Sequence, residues 1–293
     1  MIRLDAATVL LQWAVGGMVF CWFTTRHREV GLGYGWLLRG TYGLLAVGAA
    51  IIGFRYGTVP VRDVSSVGVA LACAFALGVS VHRKAAGVSG QQADHDRRSA
   101  RVAAMTGIDR AVDDAEQSPP DDRGSEFPPI LDLAPAVIGV IGLIAAAIDA
   151  APDGGTDTMV SLLRTLVGAA FLGAVTDAML LGHWYLVQPG LPRRLLNEMV
   201  SVVGWVWPFQ IVAMLLPIGM ISVWTGAVDD GWGGMLGWFW AACAVTTIVL
   251  VFVTKAALEE RQYSAVMAAT GLLYLAILTA FGTDLVARAV LAG

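Results

Sequence analysis

The residues of this chain best able to do chemistry are a few polar side chains set within long apolar runs. The richest stretch runs from Thr176 to Pro189 and holds Asp177, Gly182, His183, Trp184, Tyr185 and Gln188. A carboxyl followed by an imidazole offers a proton acceptor and a group that hydrogen-bonds or ligates. Gly182 leaves room for a flat ligand or a second helix, and Trp184 and Tyr185 suit a membrane interface. Asp177, His183, Trp184 and Tyr185 are therefore expected to form a site, with Arg39 as the counter-charge of Asp177.

Three of the four histidines, His27, His82 and His183, fall at the same ends of their predicted helices, and His95 lies in a polar loop. Imidazoles at one depth on different helices are what a b-type haem or a quinone head group requires. His183, His82 and His27 are the candidate haem ligands. His27 and His82 also stand beside Arg28 and Arg83, where the alternative is a solvated basic residue. A second set of charges, Arg164, Asp149, Asp284 and Arg288, is expected at the other membrane edge, with Arg164 paired to Asp149 or Asp284. Gln210 lies on a segment with Trp205, Trp207, Pro208 and Pro217, where a kink could shape a pocket or merely pack.

No Walker A, HExxH or GxSxG motif and no Cys/His metal cluster occurs in the sequence. Gly31, Gly33 and Gly35 follow no strand, so they are a turn and not a dinucleotide fingerprint. Cys21, Cys73 and Cys243 all fall in apolar stretches without a CxxC pair and are expected to pack as small apolar residues.

The elements that must position these groups follow from composition. Of 293 residues, 57% are hydrophobic and 14% charged, against about 25% charged in an ordinary soluble domain. The charges cluster between uncharged runs of roughly 20 residues, the length of a helix crossing a hydrocarbon core about 30 Å thick. The expected fold is all-α, a polytopic transmembrane helix bundle. Its eight spans are predicted near 6–25, 35–54, 63–82, 131–150, 159–184, 199–224, 234–254 and 263–287. The first is read as a retained helix, because Phe20 before Cys21 is too large for a lipoprotein signal and no small-residue cleavage site follows.

Arg and Lys collect after spans one, three, five and seven, at Arg26, Arg28, Arg83, Lys84, Arg193, Arg194, Lys255 and Arg261. The connections near 150–158 and 225–233 carry only aspartates. The positive-inside rule then places both termini outside, with Arg55 and Arg62 the exception. Residues 83–130 form a long polar loop, basic at first and acidic later, in which Val102, Met105, Ile108 and Val112 recur at near-helical spacing. A short amphipathic helix on the membrane surface is expected there. The chain thus reads as a three-span segment 1–82, the polar loop 83–130 and a five-span segment 131–293.

With 17 Arg and two Lys among the 19 basic residues and abundant Ala and Gly, the composition suits a GC-rich bacterial source and a multi-pass protein of the cytoplasmic (inner) membrane. The first functional expectation is an integral membrane subunit of a quinone- or haem-linked electron-transfer assembly. The alternatives are a non-catalytic scaffold or accessory subunit, or a small secondary transporter. Membrane lipids and other membrane-protein subunits are the expected partners, and nucleic acid is not. Whether the chain is an enzyme stays open at this point.

Overall fold

The computed structural model describes residues 5–106, 125–151, 154–260 and 262–292. Among these there is no strand. The helices are α1 (Ala6–Thr25), α2 (Leu32–Tyr56), α3 (Pro60–His82), α4 (Ser89–Thr106), α5 (Leu133–Asp149), α6 (Gly155–Val187), α7 (Arg193–Leu215), α8 (Ile221–Trp224), α9 (Met235–Glu259) and α10 (Tyr263–Leu291). All but α4 and the single turn α8 are long and apolar enough to cross a membrane, counting with α5 the 3-10 turn Pro129–Asp132 that leads into it. Over the described residues the chain is an all-α polytopic bundle with eight candidate spans. Eight crossings in alternating direction would bring the start of α1 and the end of α10 to one face, called here the terminal face; the opposite one, bearing α4, is the loop face.

Local signals explain the boundaries. The Asp5 carboxylate caps α1 by accepting from Ala7 N at 3.1 Å, satisfying one of the free N–H groups of the first turn. Pro60 opens α3, where its missing N–H costs nothing. α7 ends at Leu215, so the predicted span 199–224 is corrected to a helix that stops short and a separate turn α8. Pro217 is the reason: it pushes Leu216 into extended backbone, at φ −85° and ψ 148°, and offers no N–H to continue the ladder. Pro208 stays inside α7.

α1 is buried along its middle, with Leu11, Gln12, Ala14, Val15, Gly16, Gly17 and Met18 all covered. It packs on α2, α5 and α6, while α6 packs on α1, α5, α7 and α10. The spatial grouping is α1, α2, α3 and α5 on one side and α6, α7, α9 and α10 on the other, joined chiefly where α1 crosses α6. At the crossing the backbones touch: a Cβ on Gly16 would overlap the Ala169 carbonyl, and one on Gly173 would overlap Gly16. Small residues permit this approach in membranes, where close van der Waals packing drives helix association.

The long connection contains a helix, but earlier than the predicted apolar repeat. α4 covers Ser89–Thr106, with Val102 and Met105 exposed; Ile108 and Val112 lie outside the described residues.

Candidate functional site

Polar side chains inside the bundle gather at two levels. Nearer the loop face, Arg39 of α2 is buried and forms a bidentate pair with Asp132, Nε to Oδ1 at 2.6 Å and Nη2 to Oδ2 at 2.8 Å. Its guanidinium stacks 4.1 Å from the Phe127 ring centroid. Thr25 donates to Asp132 Oδ2 at 3.4 Å. The segment just before α5 is itself tied down, because Glu126 accepts from Arg28 at 2.8 Å and its carbonyl from Arg83 at 3.1 Å. Residues 125–132 therefore close the loop-face end of the α1–α2–α5 group.

One step deeper, Asp177 of α6 is fully buried and accepts a hydrogen bond at Oδ1 from the Tyr42 hydroxyl of α2. Its Oδ2 is buried without a hydrogen-bond partner. Tyr42 reaches Asp177 past α1, and Gly17 makes this possible: a Cβ there would overlap the tyrosine ring. Gly16 and Gly17 thus serve two sides of one helix, the first admitting the α6 backbone and the second the Tyr42 ring.

The expected Arg39–Asp177 pair is not formed. Tyr42, three residues further along α2, takes Asp177, and Arg39 is engaged by Asp132 through a two-bond fork. His183 is not brought to Asp177 either. It is exposed on the outside of the bundle, 3.4 Å from the Tyr274 hydroxyl. His27 is exposed beside Arg26, and His82 is exposed at the end of α3. The three histidines share no site, and no described group of three His, Cys, Asp or Glu residues could hold a metal. Trp184 and Tyr185 fasten the end of α6. Trp184 donates to Gln188 at 3.0 Å and packs against Tyr34, while the Tyr185 hydroxyl donates to the Pro192 carbonyl and its carbonyl accepts from Tyr263.

Toward the terminal face the polar groups are more numerous. Arg62, buried at the start of α3, contacts Asp5, Asp63 and the Gly57 carbonyl. Arg288 of α10 donates to Asp284 at 2.6 Å and also to Gln12 of α1. Gln12 in turn donates to the Thr165 carbonyl of α6 at 2.6 Å. Gln210 donates to Asp284 at 3.5 Å and keeps a buried, unpartnered Oε1. The expected pairing of Arg164 with Asp149 or Asp284 is replaced by bonds to the carbonyls of Ala213 and Leu216. Because α7 stops before Pro217, its last carbonyls lack helical partners, and a cation at a helix C-terminus satisfies them.

Between α1, α2, α3, α5, α6 and α10 this level holds a cavity of about 740 Å³. Asp5, Thr8, Arg62, Asp149, Ser161, Thr165 and Arg288 line it, together with the 57–59 turn. All these positions lie at the terminal-face ends of their helices, and beyond them toward the loop face comes the Gly16–Gly173 crossing. The sequence pointed to Asp149 and Arg288 at this edge, as members of the second set of charges, and missed Asp5 and Gln12, a lone amide in an apolar helix. Asp132 and Tyr42 gave no signal, since one sits at a span edge and the other resembles any interfacial tyrosine.

Comparison of the chain with protein-family models, with characterised proteins and with solved structures finds no match.

Proposed function

We propose that this chain is a small secondary transporter that takes a polar solute into the terminal-face cavity. The observation that carries the reading is that cavity: about 740 Å³, within the range of roughly 300–1,000 Å³ usual for small-molecule sites. It is set among helices that would lie in lipid. Charged groups there are costly unless they pair or line a watery space, and this cavity gathers two arginines and two aspartates at its wall. Matched charges of both signs favour a small zwitterionic or polar solute over a bulk ion. Two closures lie between the cavity and the loop face, the Gly16–Gly173 crossing and the Arg39–Asp132 clamp. A wide cavity at one face and closure at the other is the arrangement of one end state in alternating access. On the positive-inside reading the cavity faces outward, in a bacterial inner membrane. The electron-transfer expectation is less favoured, because it needed His183 and Asp177 at one site.

The test uses the purified protein in proteoliposomes. Thr165→Cys adds a thiol at the cavity wall, while Cys21, Cys73 and Cys243 are buried. The introduced thiol is expected to react with a membrane-impermeant methanethiosulfonate reagent. A solute from a panel of amino acids, carboxylates, amines and sugars is expected to slow that reaction and to accumulate in the vesicles. A thiol that no panel solute protects, with no panel solute accumulating, defeats the transport reading.

A further inference from the structure

We propose that Asp177 is a proton-binding site and that its occupancy couples this transporter to a pH gradient; the coupling rests on the transport reading, whereas proton binding does not. A carboxyl group wholly inside the bundle carries one hydrogen bond, from Tyr42 to Oδ1, and its Oδ2 is a buried acceptor with no partner. Every other buried acid described within the spans has a cation: Asp132 has Arg39, Asp63 has Arg62, and Asp284 has Arg288. An unpaired polar atom in a native interior marks a strain reservoir, a catalytic group or a site filled by something else. For Oδ2 the smallest filling is a proton. It turns the acceptor into a donor and removes the charge, while the Tyr42 O–H···Oδ1 bond stays in place. A sodium ion would need several oxygen ligands, and Asp177 and Tyr42 supply a poor set.

The surroundings agree. The titratable and charged groups near Asp177 are Cys21 of α1 and Tyr34, Arg39 and Tyr42 of α2, with Asp132 at the entry to α5; Arg39 and Asp132 are consumed by each other. At the matching depth α7 and α10 contribute Met199, Val203, Leu273 and Ala276 to the core, and none of these titrates. The charge of Asp177 is therefore countered by no cation from any helix packed around it.

A connection to the cavity exists through α1. Gln12 bonds Arg288 and the Thr165 carbonyl at the cavity, and the next residue, Trp13, donates to Thr176 at 2.9 Å. Thr176 precedes Asp177. Two adjacent residues of α1 thus hold α6 at the cavity and beside the carboxyl, straddling the crossing that must part if the cavity is to open to the other face. Taking up a proton at Asp177 changes the charge held at that crossing, and solute binding pulls on the same helix pair from the other end.

Infrared difference spectra of the full-length protein in lipid, recorded between acid and alkaline samples, test the proton site directly. A protonated-carboxyl C=O band that titrates in the wild type is expected to be missing in Asp177→Asn and to titrate at a different pH in Tyr42→Phe. In proteoliposomes, Asp177→Asn is expected to lose pH-driven accumulation down to the level of empty vesicles while keeping solute exchange. A titrating band that persists in Asp177→Asn, or one that responds to sodium at fixed pH and not to protons, overturns the proposal. Where Asp177→Asn does not fold, Asp177→Glu and Tyr42→Phe take its place, and an unmoved band in both overturns it equally. pH-driven uptake that survives in Asp177→Asn removes the coupling role and leaves the transporter standing. Vesicles that move no solute remove the transporter and leave the infrared result to decide on the proton.

Discussion

Asp132 and Asp177 are the same residue type, each 0% exposed and both in the loop-face half of the bundle, yet they meet opposite surroundings. Asp132 receives both prongs of Arg39 and a hydroxyl from Thr25. Asp177 receives one tyrosine hydroxyl and has an oxygen to spare. The first is a completed clamp that fixes how α5 enters the bundle against α2. The second is an incomplete arrangement held inside the protein, which is what a group that must change its protonation state requires. The contrast separates an acid kept for architecture from one kept for function, and it can be tested from both ends.

The largest expected effect is at the clamp. Asp132→Ala leaves a buried guanidinium unpaired and should cost about 3–5 kcal/mol, read as a large drop in unfolding temperature in detergent. Replacing both partners, Arg39→Met with Asp132→Leu, should recover most of that loss, because an apolar pair of similar volume avoids the desolvation penalty. Next comes Gly17→Ala, whose added methyl must displace the Tyr42 ring; overpacking of this kind costs about 1–3 kcal/mol and should also break the Tyr42–Asp177 bond. Its infrared carboxyl band should then resemble that of Tyr42→Phe. Tyr42→Phe alone should lower stability by about 1–2 kcal/mol, the cost of an unsatisfied acceptor. If it destabilises as much as Asp132→Ala, the distinction between the two acids fails.

The smallest effect is expected at a third aspartate, outside the spans. Asp230 is half-buried and accepts from the backbone N–H groups of Trp232, Gly234 and Leu236 at 2.8–3.0 Å. The N–H bond from Gly234 foremost, with those of Trp232 and Leu236, holds its carboxyl below the usual carboxylate range. A depressed carboxylate stabilises the fold above the unfolded-state range, and this contribution fades as pH falls through the lowered value. Melting curves of the wild type should therefore fall on the acid side, and Asp230→Asn should flatten that limb slightly.

The two acids also mark how far the sequence could be read. Eight spans were legible because hydrocarbon imposes a length and forbids unpaired backbone, so the apolar runs announce themselves. Most boundaries came within a few residues, and the one large miss, the end of α7, reflects Pro217 acting as a terminator and not as a kink. Partner choice was much less legible. Counting residues from the helix ends put Arg39 and Asp177 at comparable depth with opposite charges, which made the pair plausible, but depth is one coordinate and the angle around the bundle is another. His183 shows the same gap: its position along α6 was readable, and its outward direction was not.

What the sequence determined by itself is therefore the set of spans and the list of polar residues that lipid must tolerate. These follow from the membrane acting as a solvent on each helix separately. Only the tertiary structure decided that α1 runs between α2 and α6, that Gly16 and Gly17 open it to both, and that Arg39 meets Asp132 while Tyr42 meets Asp177. The terminal-face cavity belongs to that second group, since its wall comes from six helices spread over the length of the chain. Contacts of this kind depend on helix order and rotation in the bundle, which are set by many small packing energies acting together and by no single segment.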